Sequence, residues 1–372
     1  MRRILVAPNS FKGCALSPEI AQIISAALKL HLPENSFEVI SIPLTDGGDG
    51  FLDVIVNLSK GKKISIPYDS NTKSSDSCFF AALVENKLVI ESALVIGLQD
   101  KAPPENNPLY TSSKPLGRAI LRSLEFFKNE NIEEILIGVG GTATVDMGTG
   151  MLSEFGLKLL DKTGNELKPI PANFNKIASV IPPSSKIKQK LKFVIDCDNP
   201  LLGVNGGVQV YGPQKGLNAE GIKITEKGFR HLIEIIGISN CDQLSGAGGG
   251  IASLVTRYFP TELIDSKTFI KNELLAGEKP ESFDILITGE GKADEQTFMN
   301  KAPGVLLEMF SAAEKIKFVL CGVNEIPDNK YKNISVIEIS KYFDNFKDSI
   351  RNYKTGLEKG VSEITDKILN KI

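Results

Sequence analysis

Histidine is almost absent from this 372-residue chain, which holds only His31 and His231. A Ser-His-Asp or Cys-His hydrolase, or a zinc centre with several histidine ligands, would have to use one or both of them. His31 lies at the end of a predicted helix and His231 lies beside the apolar face of another, so both positions favour structural roles. The chemistry of the chain is therefore expected to depend on carboxylates, lysines and backbone amides.

Paired cysteines, an excess of charge and long apolar runs are missing as well. The five cysteines are scattered without a CxxC pair, which argues against a disulfide framework and favours free thiols in a cytoplasmic protein. The net charge of −2 argues against nucleic acid or an acidic membrane surface as the main partner. No segment approaches the roughly 20 apolar residues of a membrane span. Small molecules are the expected ligands, and the oligomeric state stays open.

The order of predicted elements indicates an α/β protein with two domains. Strands and helices alternate regularly at both ends of the chain, whereas the middle has the texture of hairpins and turns. We expect a Rossmann-like layered sheet formed by both chain ends, residues 1–62 plus 280–372. An inserted mixed α/β domain is expected over residues 63–279, with a cleft between the two domains that closes on substrate.

Local patterns place the strands and the first helix. Ser17-Pro18-Glu19 is typical of a helix start, and we expect Ser17 to be the N-cap. Apolar runs predict strands, chief among them Arg3–Ala7, Phe37–Ile42, Lys87–Glu91, Glu134–Val139 and Phe283–Thr288.

Glycine-rich segments follow several of these strands, and glycine lets backbone N–H groups approach a ligand closely. The N-terminus of a following helix adds partial positive charge, and the combination is typical of phosphate sites. In open α/β sheets, ligands bind beyond the carboxyl ends of the strands, where most of these segments are expected to lie. The five segments are 8–13, 46–50, 138–150, 211–216 and 288–294.

Each of the segments also carries an aspartate, glutamate or lysine, or lies close to one, and the joint pattern points to phosphoryl transfer. That reaction needs positioning and charge stabilisation more than covalent chemistry, and it does not require histidine. Neither a Walker A sequence nor the protein-kinase motifs occur, and the glycines near residue 140 do not form a dinucleotide fingerprint.

Taken in order, these segments carry a family resemblance over essentially the whole chain. They resemble the bacterial glycerate kinase family, typified by the glycerate 2-kinases of glyoxylate and sugar-acid catabolism. The resemblance implies ATP-dependent phosphorylation of D-glycerate with Mg²⁺ on two α/β domains. The matching motifs are APNSFKG (7–13), PLTDGGDG (43–50), TSSKPLG (111–117), IGVGGTATVDMGTGML (137–152), IDCDNPLLG (195–203), YGPQKG (211–216), SGAGGG (245–250), ITGEGKADEQ (287–296) and KAPGV (301–305).

The resemblance, together with the chemistry of the side chains, suggests a role for each matching residue. Asp46 is the first choice for the base that accepts the proton of the substrate hydroxyl, and Asp196 is the second. Lys12 is placed with them in catalysis and, with Ser10, would bind a phosphate or the glycerate carboxylate. Further substrate and phosphate contacts are assigned to Gly47, Gly48, Gly140, Gly141, Thr142, Lys215, Glu290 and Lys301, and Mg²⁺ contacts to Asp146 and Asp294.

Two departures from the family pattern bear on the substrate. Asn9 replaces an aspartate, and Val145 replaces an asparagine, so two polar groups are expected to be missing from the cleft. A kinase for another small hydroxy or sugar acid therefore remains an alternative, as does a non-catalytic relative that binds a nucleotide or metabolite. The choice between the 2- and 3-hydroxyl of glycerate also stays open.

Overall fold

The chain was analysed as a computed structural model that describes residues 1–68, 78–98, 107–238, 245–298, 301–311, 315–326 and 333–370. It divides into two compact units. Unit 1 comprises Met1–Asp46, Asp53–Lys60 and Ser266–Ile372, and unit 2 comprises Gly47–Leu52 and Gly61–Asp265. Relative to the expected boundaries, the chain returns to unit 1 at residue 266, and the short stretch 47–52 belongs to unit 2. The expected cleft stays a prediction.

Strands of the described residues account for three sheets. In chain order they are β1 (Arg2–Pro8), β2 (Phe37–Ser41), β3 (Ile64–Pro67), β4 (Cys78–Val84), β5 (Lys87–Glu91), β6 (Glu134–Gly138), β7 (Lys158–Leu160), β8 (Glu166–Leu167), β9 (Ser179–Ile181), β10 (Lys190–Ile195), β11 (Thr261–Asp265), β12 (Ile285–Ala293), β13 (Ile316–Asn324) and β14 (Ile334–Glu338).

Helices of the described residues range from single turns to five turns. They are α1 (Ser17–His31), α2 (Phe51–Ser59), α3 (Ala93–Ile96), α4 (Lys114–Phe126), α5 (Thr149–Ser153), α6 (Gly207–Lys215), α7 (Ala219–Ile236), α8 (Ala247–Gly250), α9 (Val255–Tyr258), α10 (Ser266–Phe269), α11 (Ala302–Met309), α12 (Phe346–Arg351) and α13 (Tyr353–Leu369).

Unit 1 contains a five-stranded, fully parallel sheet in the order β14-β13-β12-β1-β2. The strands come from both ends of the chain, which confirms the predicted layered sheet. Helices α1 and α13 pack against each other and bury their apolar faces on it, where Ile20, Ile24, Val361 and Ile364 are fully buried. Parallel strands that are covered in this way become continuous apolar runs, as in residues 4–7 of β1.

Unit 2 contains a six-stranded mixed sheet in the order β11-β10-β6-β5-β4-β3 and a small antiparallel sheet, β8-β7-β9. The strands from β11 to β5 run parallel, whereas β4 and β3 add an antiparallel hairpin edge. The mixed α/β character predicted for the middle of the chain is therefore confirmed. Because β5, β6 and β10 are adjacent and parallel, the segments that follow them leave the sheet at one edge.

The segment 288–294 is not a loop, contrary to the sequence-based prediction, because β12 continues through Ala293 and pairs with β13 as far as Asn324. The glycines allow β12 and β13 to pack closely and do not form a turn. A Cβ on Gly289 would lie 1.8 Å from the carbonyl oxygen of Leu320, and one on Gly322 would lie 2.4 Å from the carbonyl oxygen of Gly291. Glycine at these positions lets the two strands approach each other without a clash.

The start of α1 also differs from the prediction. Leu16 is the N-cap residue and Ser17 already lies inside the helix, with Pro18 in the first turn as expected. The hydroxyl of Ser17 is buried and donates a hydrogen bond of 2.6 Å to the carbonyl oxygen of Pro8. The side chain thus ties α1 to the end of β1. None of the helices in the described ranges is long and apolar enough to span a bilayer.

Candidate active site

In unit 1, the segment after β1 is held by hydrogen bonds to β12 and α1 and by its own polar side chains. The Asn9 amide donates to the carbonyl oxygen of Gly289 at 2.7 Å, and the Asn9 side-chain oxygen accepts the amide of Ser10 at 2.8 Å. The Ser10 hydroxyl in turn accepts the amide of Ser17 at 3.3 Å. Hydrogen bonds within the protein therefore hold the segment, while the side chain of Lys12 is exposed.

Asp46 lies close to this segment and is half-buried. The Nδ2 atom of Asn9 donates a long hydrogen bond of 3.5 Å to Asp46 Oδ2, and the Ser266 hydroxyl donates to the Asp46 carbonyl oxygen at 3.3 Å. Asn9 thus places a neutral hydrogen-bond donor beside the Asp46 carboxylate. An aspartate at position 9 would place a second negative charge there instead.

The end of β12 carries two carboxylates around one lysine. Lys301 Nζ lies 3.2 Å from Glu290 Oε2 and 3.6 Å from Asp294 Oδ1. Burial raises the pKa of Glu290, and the charge of Lys301 opposes that rise. Asp294 also exchanges hydrogen bonds with Thr297, which holds its side chain at the turn. With one lysine for two carboxylates, the cluster is suited to a cation or a hydroxyl donor.

In unit 2, two glycine segments pack tightly at the carboxyl ends of β5, β6 and β10. The Gly140 amide donates to the carbonyl oxygen of Gly47 at 2.9 Å, and a Cβ on Gly140 would lie 2.5 Å from the Cα of Gly48. The same Cβ would lie 3.1 Å from Asp196 Oδ2. The Gly140 amide is thus engaged within the protein, and a phosphate contact from it stays a prediction.

A small pocket of about 70 Å³ opens beside these glycines. Three of the predicted site residues that line it are carried by different elements: Asp196 follows β10, Thr142 follows β6, and Lys215 ends α6. The full lining is Leu98, Val139, Gly140, Gly141, Thr142, Asp196, Cys197, Tyr211, Gln214, Lys215 and Gly248.

Lys215 is a buried cation in this pocket. Its Nζ donates to the Thr142 hydroxyl at 3.1 Å and to the Thr144 carbonyl oxygen at 3.0 Å, and only 7% of the residue is exposed. Burial lowers the pKa of Lys215 to about 8, because a low-dielectric environment disfavours the charged form. The nearby charge of Asp196 opposes that shift. A buried ammonium of this kind is suited to a negatively charged ligand.

Asp146 is saturated with hydrogen bonds and only 1% exposed. Its Oδ2 accepts the amide and hydroxyl of Ser113 at 2.7 and 2.9 Å, the hydroxyl of Ser112 at 3.4 Å and the amide of Gly150 at 3.1 Å. Its Oδ1 accepts the amide of Gly148 at 3.1 Å. A carboxylate offers about four lone-pair sites in all. This arrangement ties residues 112–113 to the start of α5 and argues against the predicted metal role.

The predicted site residues thus fall into two groups, one in each unit. Val145 is 1% exposed and packs in the core of unit 2, so its replacement of a polar residue changes packing and not the pocket. Unit 1 carries Ser10, Lys12, Asp46, Glu290, Asp294 and Lys301, and unit 2 carries Gly47, Gly48, Gly140, Gly141, Thr142, Asp146, Asp196 and Lys215.

Three further residues of unit 2 were missed by the sequence analysis. Tyr211 lines the pocket, and its hydroxyl donates to Asn199 Oδ1 at 2.9 Å. Its position in the YGPQKG motif could have identified it as a site residue from the sequence. Cys197 also lines the pocket, and burial raises its pKa to about 12, so its thiol is unreactive. The third is Glu91, a buried acid at the end of an otherwise apolar strand.

Comparison with known proteins decides the family. The model of a family described as the glycerate kinase family matches residues 4–369. The chain belongs to the glycerate kinase family. Among its relatives, the glycerate kinase of Bacillus cereus is 31% identical over 310 residues, which are 81% of this chain and 80% of that protein. The glycerate 2-kinase of Escherichia coli is 28% identical over 316 residues, with the same two shares.

A solved structure shows the same fold. The crystal structure of a Salmonella typhimurium LT2 protein described as a glycerate kinase 2 matches with a TM-score of 0.76, covering 100% of this chain and 99% of that one. At 24% sequence identity, this likeness speaks to the fold alone. The two-domain α/β architecture expected from the resemblance is therefore a property of the glycerate kinase fold.

Proposed function

We propose that this glycerate kinase transfers the terminal phosphoryl group of ATP to D-glycerate, with 2-phosphoglycerate as the favoured product. Family membership over residues 4–369 supports phosphorylation of glycerate. The observation that carries the chemistry is the buried ammonium of Lys215, which lies in a pocket with Asp196 and the glycines after β6. Such a cation stabilises negative charge far more strongly than it would in water.

The lysines of the two groups would neutralise charge during transfer. Lys215 is buried and Lys301 is partly buried, so bulk water screens the charge of each less than that of a surface lysine. The exposed Lys12 is free to move towards a phosphate or a carboxylate and is proposed to contact one of them. Phosphoryl transfer depends mainly on such positioned charges.

Asp46 is proposed as the base that accepts the hydroxyl proton of glycerate. Its carboxylate is half-buried and accepts a hydrogen bond of 3.5 Å from the side-chain amide of Asn9. Asp196 remains the second choice, since it lines the pocket with Lys215. General-base catalysis of this kind contributes roughly 10²- to 10⁴-fold to the rate.

Mg²⁺ is proposed as the metal, and it would be bound mainly through phosphate oxygens. Among the described residues there is no group of three or more His, Cys, Asp or Glu side chains that could hold a metal by itself. Mg²⁺ in kinases commonly takes one or two carboxylates together with the phosphates, and when bound it neutralises the charge of the transferred group. Asp294 fits this requirement, whereas the buried Asp146 with its five hydrogen bonds does not.

Asn9 favours one alternative substrate class. It replaces a charged residue of the family pattern next to Asp46, so the site could prefer another small hydroxy or sugar acid. A coupled ADP-release assay over a panel of such acids separates this alternative from D-glycerate. A non-catalytic relative would bind ATP without releasing ADP with any of them. A cytoplasmic location is proposed because the five cysteines are scattered without a CxxC pair, which favours free thiols.

The chemical identity of the product is the most direct test of the proposed activity. We expect the chain, incubated with D-glycerate, ATP and Mg²⁺, to form 2-phosphoglycerate, identified by ³¹P and ¹³C NMR. Withdrawal of Mg²⁺ with EDTA is expected to stop the reaction, because the phosphate charges are then left without their counterion. Appearance of 3-phosphoglycerate would overturn the regiochemistry, and the absence of any phosphorylated acid would overturn the activity.

The pH dependence of turnover reports on Lys215. Its pKa is lowered to about 8, so the ammonium is present at pH 7 and is lost as the pH rises through that value. We therefore expect kcat/KM for the wild-type enzyme to fall above pH 8, with the slope of a single ionisation. A profile that stays flat to pH 10 would contradict a catalytic role for this charge.

A further inference from the structure

Strand β5 ends in a buried carboxylate to which the sequence motifs assign no role. Glu91 is 2% exposed and lies beside Gly138 in the register of β5 and β6. Its Oε1 accepts the amide of Gly50, and its Oε2 accepts the amide of Leu52, each at 3.0 Å. Both oxygens of the acid are therefore committed to the backbone of one short segment.

Gly50 is the last residue of DGGDG and Leu52 is the second residue of α2, so the two amides lie at the start of that helix. The N-terminus of a helix carries partial positive charge and unpaired N–H groups, and the motif suggests that a phosphate would bind there. In this protein the place is taken by an internal anion. The carboxylate of Glu91 thus orders the segment from within the protein.

We propose that Glu91 is a positioning residue for phosphoryl transfer, because it fixes the segment Gly47–Leu52 against the glycines that follow β6. The carbonyl oxygen of Gly47 accepts the Gly140 amide, and Gly140 lines the pocket that holds Lys215. Asp46, the proposed base, precedes Gly47 in the chain. This inference rests on the proposed function, and it names what holds two of the predicted substrate contacts, Gly47 and Gly48, in place.

The test replaces the acid by its neutral isostere. In Glu91→Gln, one amide oxygen can still accept a hydrogen bond, but the NH₂ group must face the second backbone N–H, so one hydrogen bond is lost. We expect kcat to fall roughly 10- to 100-fold, because small displacements of positioning groups are costly in rate. Hydrogen exchange by mass spectrometry is expected to be at least about tenfold faster over residues 50–52, since one of the two amides loses its acceptor and the other keeps only a neutral one.

Glu134→Gln is the matched control, since it makes the same change in a neighbouring strand of the same sheet. Glu134 begins β6 at the opposite end from Gly138, and its carboxylate pairs with Lys192 at 2.7 Å. Its kcat is expected to stay within about twofold of wild type, and exchange over residues 50–52 is expected to be unchanged. Equal losses of kcat in the two variants would mean that Glu91 has a general structural role, and would overturn the proposal.

Two further results keep the inference separable from the proposed function. Should Glu91→Gln not fold, Glu91→Asp retains the charge with a shorter reach, and wild-type kcat and wild-type exchange in that variant would overturn the proposal. If the wild-type enzyme itself releases no ADP with D-glycerate, the proposed function fails. The exchange over residues 50–52 then still decides whether Glu91 holds the segment: unchanged exchange overturns it, and faster exchange supports it.

Discussion

Replacing Asp46 by asparagine is expected to lower kcat with D-glycerate by roughly 10³-fold, because the variant loses the group that accepts the hydroxyl proton. The fold should be retained. The asparagine oxygen can still accept the long hydrogen bond from Asn9, and the backbone contact with Ser266 is unaffected. Steady-state ADP release, together with a thermal melt, measures the two effects separately.

Two other variants define what the Asp46 result means. Asp196→Asn tests the second candidate and should lower kcat less than Asp46→Asn if Asp46 is the base. Asp53→Asn, in the first turn of α2, serves as the matched control and should remain near wild type. Near-native turnover in Asp46→Asn would show that the base has been assigned to the wrong residue.

Replacing Lys215 by methionine is expected to lower kcat by at least about 10²-fold, because the transition state then lacks a buried positive charge. Its effect on stability should depend on pH. In the folded state the pKa of Lys215 is lowered to about 8, so between that value and its ordinary pKa near 10.5 the unfolded chain binds more protons than the folded one. Wild-type stability from this group therefore rises with pH across that window.

Methionine has no charge to bury, so the comparison isolates this linkage. The unfolding free energy of the variant minus that of wild type is expected to decrease by about 2 kcal/mol between pH 7 and pH 9.5. Urea denaturation at the two pH values measures it. Lys192→Met, which removes a cation paired with Glu134 at 2.7 Å, is the control and should keep its turnover. A pH-independent difference for Lys215→Met would refute the burial of an ammonium.

In two glycine-rich motifs, a buried carboxylate of the protein accepts hydrogen bonds from the backbone amides. Glu91 binds the amides of Gly50 and Leu52, and Asp146 binds those of Gly148 and Gly150. Both acids are almost fully buried. Glycine-rich motifs are easily interpreted as phosphate loops. Here some of their backbone N–H groups bind carboxylates of the protein instead, and these hydrogen bonds hold the motifs in place. The cations Lys215 and Lys301 are left as the stronger candidates for contact with phosphate.

The sequence by itself determined the parallel sheet formed by both chain ends, the mixed middle unit and the membership of a kinase family. These follow from local signals: apolar runs, helix periodicity and motif residues read along the chain. It did not reveal that residues 289–293 continue a strand, since the reason lies in the close approach of Leu320.

Only the tertiary structure decided what each polar group binds. Glu91 meets Gly50 across 41 positions of sequence, Asp146 meets Ser113 across 33, and Lys215 meets Thr142 across 73. Whether a carboxylate is saturated, or an ammonium desolvated, depends on neighbours brought close by strand pairing and packing. No pattern along the chain contains that information, because burial and hydrogen bonding are properties of the packed sheet.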